Sequence, residues 1–208
     1  YRNESLASGT NTSWADSSSA NSALTLNGSP SAATDSQYDN KLALSFDGST
    51  QYGVTAASVA LGTFTFGIVS RGTGTAGQIM HQSSGNSNYL FATTGNSINV
   101  TKSSTTSGYN SASNWGIPAP PTTKPCRYDG SHSGHTLRIN GTNQSMTNTN
   151  AGEPGSGTLT ATVGVMAQNG GTSKSTGTVA EVAIWDVNLS DTVAGYVDNY
   201  WQKKFAHY

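Results

Sequence analysis

The sequence contains few charged residues and a single cysteine. Charged residues make up 10% of the 208 residues, and the formal net charge is −1. Nucleic-acid-binding proteins cluster lysine and arginine, so this composition argues against a nucleic-acid partner. The one basic pair, Lys203-Lys204, is better explained by the negative end of a helix dipole. Because Cys126 stands alone, no internal disulfide can stabilise the fold.

Long apolar runs are also missing. No run approaches the roughly 20 residues that a membrane-spanning helix needs, so we predict no membrane insertion. Disordered chains combine low hydrophobicity with high net charge, whereas here a hydrophobic content of 34% accompanies a net charge near zero. The chain is polar through hydroxyl and amide groups. This composition is typical of strands whose outer faces carry Ser, Thr and Asn.

The apolar residues that are present alternate with polar or small ones. Period-two alternation predicts strands with one buried face in the stretches 42–46, 64–68, 137–139 and 159–165, and weaker strands near 79–80, 89–91 and 98–100. Many short strands predict an all-β sandwich or jelly roll. The proline-rich stretch 116–125 is interpreted as a surface loop, because a domain linker there would leave halves too small for a core.

Turn dipeptides separate these stretches. They are Asn27-Gly28, Asp47-Gly48, Asp129-Gly130 and Asn140-Gly141. Asn and Gly tolerate the positive φ of tight connections, and the last pair lies between two strand-like runs. The sequence therefore predicts a hairpin at Asn140-Gly141.

The C-terminal stretch is the one convincing helix. Ser190 is a plausible N-cap, and Asp191 in the first turn opposes the positive helix end. An apolar face then follows at helical spacing, formed by Val193, Tyr196, Val197, Tyr200, Trp201 and Phe205. This aromatic stripe could form a sugar-binding platform, but packing against the sandwich is the favoured interpretation. We predict a helix over 190–205 with Val193, Val197 and Trp201 buried.

Three segments resemble the laminin G-like branch of the concanavalin A-like lectin/glucanase superfamily. "SWADSSSANSALTLNGSP" is similar to the family's Trp-x-Asp-x-Ser opening, "LALSFDGSTQYGVTAA" to its Phe-Asp-Gly passage, and "GTVAEVAIWDVNLSDTVAGYVDNY" to its closing strand, Leu-Ser turn and helix. The resemblance implies one domain over 1–208, a two-sheet antiparallel jelly roll with a short C-terminal helix. This fold serves sugar-binding modules, adhesion domains, glycosidases and virion proteins, so fold alone does not choose among them.

Catalytic patterns are missing from the sequence. Glycosidases of this superfamily resemble one another in a Glu-x-Asp-x-x-Glu or Glu-x-Asp-x-Glu strand, as their two-carboxylate mechanism requires. The only glutamates here are Glu4, Glu153 and Glu181, and none has a carboxylate two residues later. A Gly-x-Ser-x-Gly nucleophile turn is missing as well. We therefore predict that the protein is not an enzyme.

Candidate ligand-binding residues are few. Sugar binding needs exposed aromatic rings, for which Tyr109, Trp115 and Tyr128 are candidates; the alternative for Trp115, as for Trp14, is anchoring a loop over the core. No cofactor is the expectation, but relatives in this family often bind Ca²⁺ through aspartates and loop carbonyls, so the resemblance leaves a calcium site open as the alternative. Its candidates are Asp16, Asp39, Asp47 and Asp129, although turn formation explains Asp47 and Asp129 without a metal.

Two functions are compatible with these observations. The first is a non-enzymatic structural or adhesive protein of an exterior surface, most readily a virion decoration, head-fibre or tail-appendage protein. The alternative is a secreted carbohydrate-binding module, with or without calcium. The expected partners are other virion or surface proteins, glycans or both, and homo-oligomer formation is left open. The expected location is a virion surface or the extracellular space.

Overall fold

The computed structural model of the chain describes residues 1–18, 22–61, 63–72, 76–82, 89–94, 97–102, 113–118, 126–131, 136–143, 147–148, 159–167 and 174–206. Within these residues the main elements are strands, accompanied by two short 3₁₀ turns at Asn3–Ser5 and Ser36–Tyr38 and one α-helix, α1, at Asp191–Phe205. No helix in the described part of the chain is long and apolar enough to cross a membrane.

The described strands are numbered in chain order. They are β1 Gly9–Thr10, β2 Ser13–Trp14, β3 Leu24–Asn27, β4 Ser31–Asp35, β5 Lys41–Asp47, β6 Tyr52–Thr55, β7 Val59–Leu61, β8 Thr65–Gly72, β9 Ala76–Gln82, β10 Tyr89–Thr94, β11 Ser97–Lys102, β12 Ser113–Pro118, β13 Cys126–Ser131, β14 Leu137–Ile139, β15 Thr142–Asn143, β16 Thr147–Asn148, β17 Leu159–Ala161, β18 Val163–Val165 and β19 Thr176–Trp185.

The strands assemble into two large antiparallel sheets. The order in the eight-stranded sheet is β1-β4-β5-β19-β8-β13-β14-β15, and the order in the nine-stranded sheet is β16-β12-β11-β10-β9-β18-β6-β3-β2. The short strands β7 and β17 pair with each other separately. Two antiparallel sheets with a C-terminal helix are the predicted fold class, which is therefore confirmed.

The main core lies between the two sheets. Alternating residues of β5 and β8 in the eight-stranded sheet, such as Leu44, Phe46 and Phe66, pack with residues such as Leu24 and Val163 of the nine-stranded sheet. Period two places every second side chain of a strand on this inner face. Trp14 is fully buried in the same core, which agrees with the alternative interpretation that it anchors a loop over the core.

A second, smaller core lies on the outer face of the eight-stranded sheet. Ala43 of β5, Val69 of β8 and Ala180 of β19 pack there against Trp201 and Phe205 of α1. Because α1 covers this face, the central strand β8 is buried on both sides from Thr65 to Ser70. The alternation of Phe64, Phe66 and Ile68 in the sequence therefore indicates only the side chains that face the main core. It does not indicate the residues of β8 that α1 covers on the other face.

Three predictions made from local sequence need correction. The stretch 159–165 is not one strand: β17 pairs with β7, and β18 joins the nine-stranded sheet. The pair Asp129-Gly130 is not a turn, because it lies inside β13 opposite Arg138 and Leu137. The first three residues of the predicted loop 116–125 belong to β12, and the remaining ones lie outside the described residues.

The predicted hairpin at Asn140-Gly141 is confirmed. Ile139 pairs with Thr142 across a two-residue connection between β14 and β15. Asn140 and Gly141 have φ values of 50° and 77°. Positive φ at both central positions is the conformation that matches the twist of the flanking strands, and it explains why this dipeptide predicts a hairpin so well.

Two glycines lead to opposite predictions for the same substitution. Gly28→Ala would place Cβ 2.6 Å from the carbonyl oxygen of Thr50 at a φ of +67°, a conformation that costs a side chain about 1–2 kcal/mol. Gly195→Ala would enter open space in α1, where alanine is favoured by about 0.8–1.0 kcal/mol. In urea denaturation we expect Gly28→Ala to lower the free energy of unfolding and Gly195→Ala to raise it. Shifts of the same sign would contradict these placements.

Candidate functional site

The aromatic stripe of α1 is divided between the core and the surface. Ser190 caps the helix by accepting a hydrogen bond from the Val193 amide, as predicted. Trp201 is 1% exposed, in agreement with the prediction, and Val197 is half-buried. However, Val193 is 41% exposed, so its predicted burial is wrong. Tyr196 and Tyr200, which the sequence places on the same apolar face, are 67% and 40% exposed.

A buried ion pair explains this orientation of the helix. The buried face includes Asp198, whose carboxylate lies 2.9 Å from the Arg138 guanidinium of β14. Arg138 also donates to the backbone carbonyl of Asp191 at 3.3 Å. The face that enters the core is therefore Ala194, Asp198, Trp201 and Phe205. A purely hydrophobic pattern misses this face because it scores Asp198 as a surface residue.

A second buried ion pair holds the end of the helix. Glu181 of β19 is buried, and one of its carboxylate oxygens accepts a hydrogen bond from the Trp201 indole at 3.1 Å. The other oxygen lies 2.5 Å from the Lys204 ammonium. A register shift in β19 between Val179 and Glu181 brings Glu181 opposite Val69, on the helix side of the sheet. Such bulges commonly redirect a side chain.

The ammonium of Lys204 also reaches the N-terminal segment. It lies 2.8 Å from Glu4 and donates to the Tyr200 hydroxyl at 2.9 Å, so its three N–H groups are all used. Burial works against the charge, but the hydrogen bonds to Glu181, Glu4 and Tyr200 outweigh it and raise the pKa of Lys204 above its usual value. The helix dipole, which is the local explanation for this lysine, is only part of its role, because its partners Glu181 and Glu4 are distant in the chain.

The outer side of α1 carries a stripe that we call the tyrosine face. It consists of Tyr196, Asn199, Tyr200 and Lys203, all exposed and spaced i, i+3, i+4 and i+7, the spacing of neighbours on one helix side. The guanidinium of Arg2 lies 5.8 Å from the centre of the Tyr200 ring. Aromatic rings, an amide and cations therefore meet on one rigidly anchored surface.

Two of the aromatic residues that the sequence predicts as ligand contacts lie in different sheets. Trp115 lies in β12 of the nine-stranded sheet, opposite Val100 and Asn148. Tyr128 lies in β13 of the eight-stranded sheet, opposite Ile68. Tyr109 is outside the described residues. Tyr109, Trp115 and Tyr128 therefore stay predictions as ligand contacts, and the tyrosine face carries two exposed aromatic rings among the described residues.

The carboxylate of Asp47 organises its own turn. One oxygen accepts hydrogen bonds from the amides of Ser49, Thr50 and Gln51, and the other accepts from the Thr50 hydroxyl at 2.6 Å. These bonds, led by that from Thr50, hold the pKa of Asp47 well below its usual range. The turn interpretation of Asp47 therefore has a direct structural basis.

Asp16 has a similar arrangement. It accepts hydrogen bonds from the amides of Ser18 and Ser22 and from the Ser18 hydroxyl. Burial raises the pKa of Asp16, but these bonds outweigh it and lower the pKa below its usual value. Asp39 lies 3.7 Å from Lys41, and Asp129 lies within β13. Within the described ranges, three or more His, Cys, Asp or Glu residues do not come together as a metal site.

Known structures resemble the whole described fold. One such structure is of botulinum neurotoxin type C, whose cell entry is described as dependent on interaction with two ganglioside molecules. It is 12% identical to this chain, with a TM-score of 0.62, and the match covers 96% of this chain and 52% of the neurotoxin chain. The botulinum neurotoxin DC binding domain in complex with rat synaptotagmin II is 12% identical with a TM-score of 0.62, over 97% of this chain and 53% of its own. The botulinum neurotoxin serotype G binding domain is 9% identical with a TM-score of 0.63, and the match covers 89% of this chain and 48% of that domain.

These comparisons define a class by fold alone. The chain has the two-sheet architecture found in the receptor-binding domains of botulinum neurotoxins, and it spans about half the length of those domains. The sequence itself matches no protein-family model and no curated protein. The predicted laminin G-like membership is accordingly left as a prediction, whereas the sandwich fold is established.

Proposed function

We propose that this chain is a non-enzymatic recognition module that binds a glycan on the tyrosine face. The observation that carries the proposal is the exposure of Tyr196 and Tyr200, 67% and 40%, on a helix whose opposite side is locked into the sheet. Exposed tyrosines supply large contact area with a polar tip, and a rigid base lowers the entropic cost of binding.

The structural neighbours support recognition as the general role. One neighbour is described with ganglioside molecules and another with the protein synaptotagmin II. Since this chain matches about half of each domain, their ligands are not carried over to it by the fold. They support the broader idea that this sandwich is used for binding glycans or protein receptors.

The positions of the glutamates support a non-enzymatic role. A glycosidase of the usual kind needs two carboxyl groups on either side of the scissile bond, one of them acting as an acid. Glu4 and Glu181 instead share the Lys204 ammonium, and Glu181 is buried under Trp201. Glu153 lies outside the described residues. The two described glutamates thus have a structural role in anchoring α1.

We also propose that the module is displayed on an exterior surface. A virion decoration, head-fibre or tail-appendage protein is the first choice, and a secreted carbohydrate-binding module is the second. Low charge and hydroxyl-rich strands support this setting. Electron microscopy and sedimentation of native material would test it: the virion role predicts a symmetric particle, and a chain that is free in solution would contradict it.

A glycan array with and without calcium tests the proposed recognition function. We expect the wild-type protein to bind a subset of glycans, and to do so equally in calcium and in a chelator. The reason is that the carboxylates of Asp16 and Asp47 are engaged in hydrogen bonds to their own turns. Calcium-dependent binding would favour the calcium site through Asp16, Asp47 or Asp129 instead. The absence of any glycan binding would contradict the proposal.

A further inference from the structure

The size of the tyrosine face favours a small ligand over a folded partner. Tyr196 and Lys203 are seven residues apart, so the face is about 10 Å long. A stable protein interface uses about 20–30 residues on each side. The face has four residues on one helix, a length suited to two or three linked sugar rings.

The chemistry of the face matches a sugar ring. The π face of a tyrosine is electron-rich, and the C–H groups on one side of a pyranose are weakly positive, so the two surfaces stack. Tyr196 is the most exposed large hydrophobic residue described, at 67%. Asn199, three residues later, supplies an amide that can both donate to and accept from sugar hydroxyls.

The charges around the face add a preference for an anion. Glu4 and Glu181 both bind Lys204. Glu4 is itself 63% exposed, but its carboxylate is paired with Lys204. Arg2 and Lys203 are exposed cations beside the tyrosines, and they are the groups of opposite charge that an acidic ligand would meet there. The guanidinium of Arg2 lies over the Tyr200 ring, and arginine binds carboxylates through paired hydrogen bonds.

We propose that the tyrosine face binds a glycan through a sugar that carries a carboxylate, with Tyr196 stacked on a ring and Arg2 and Lys203 binding the carboxylate. This inference rests on the proposed glycan-binding function and narrows it to acidic glycans. Sialic acids and uronic acids share this chemistry. The stacked ring sets a basal affinity for sugars in general, and the two cations add the preference for the acid.

Calorimetric titration with three oligosaccharides of equal length tests the inference: one sialylated, one containing a uronic acid and one neutral. We expect at least one acidic oligosaccharide to bind roughly tenfold more tightly than the neutral one, as charged hydrogen bonds of this kind provide. This advantage should shrink at high salt. Whichever of the two acidic oligosaccharides binds more tightly shows whether the recognised carboxylate belongs to a sialic acid or to a uronic acid.

Substitutions locate the effect on the protein. Arg2→Gln and Lys203→Gln should remove most of the preference for the acidic sugar, while Tyr196→Ala should weaken all binding. Lys174→Gln is the matched control, because the Lys174 ammonium lies 5.7 Å from the ring of another tyrosine, Tyr52. It should leave every affinity unchanged.

The outcomes separate this inference from the function on which it rests. Wild-type binding that is equal for acidic and neutral glycans overturns the inference and leaves glycan binding on the tyrosine face intact. Binding that survives all three substitutions overturns the inference and also moves the glycan site away from the tyrosine face. A wild-type protein that binds no glycan overturns both. Self-association that Tyr196→Ala abolishes, without glycan binding, would assign the face to a second copy of the chain and also overturn the inference.

Discussion

Lys204→Met is expected to lower the free energy of unfolding by about 3–5 kcal/mol, the usual cost of removing one partner of a buried ion pair. The side chains of Lys204 and Glu181 are only 8% and 5% exposed. The substitution would leave the Glu181 carboxylate buried, with the Trp201 indole as its remaining described donor. Urea denaturation followed by tryptophan fluorescence and circular dichroism would measure the change.

Two further variants make this result interpretable. Lys203→Met removes an exposed lysine at the neighbouring position and should change stability by no more than about 0.5 kcal/mol. Glu181→Leu combined with Lys204→Met removes both charges and should recover much of the loss, because buried pairs are often replaceable by apolar residues. Similar losses for Lys203→Met and Lys204→Met would show that the buried pair is unimportant.

Trp201→Ala should be about as damaging as Lys204→Met, at roughly 3–5 kcal/mol. Trp201 is 1% exposed and fills the second core with Phe205 and Tyr38. Its truncation would leave a cavity under α1 and remove a hydrogen bond to Glu181. Differential scanning calorimetry or urea denaturation would measure the loss.

Tyr196→Ala is the comparison that tests how the aromatic stripe is divided. Tyr196 is 67% exposed, so its truncation should change stability by no more than about 0.5 kcal/mol. The same variant is expected to lose glycan affinity, which makes it a folded protein with a defective surface. A large loss of stability in Tyr196→Ala, or a small one in Trp201→Ala, would mean that α1 packs with its other face toward the sheet.

The strand pattern of the sequence predicted the fold because its signals are local. Period-two alternation in 42–46 correctly predicted β5, and Asn140-Gly141 correctly predicted the hairpin between β14 and β15. Both signals depend only on residues that are neighbours in the chain. Ser190 capped the helix for the same reason. The prediction of one strand over 159–165 was wrong because the pairing partners lie far away in the chain. β17 pairs with β7 and β18 pairs with β6, and no pattern within 159–165 contains this information.

The candidate site could not be predicted from local sequence patterns, because its position depends on contacts between residues that are distant in the chain. The sequence by itself determined that two sheets and one amphipathic helix would form, because backbone preference and hydrophobic period act over a few residues. Only the tertiary structure decided which side of that helix is buried, since the choice rests on Arg138 binding Asp198 and on Glu181 binding Lys204. Both pairs join residues that are distant in the chain, and together they leave Tyr196 and Tyr200 on the surface.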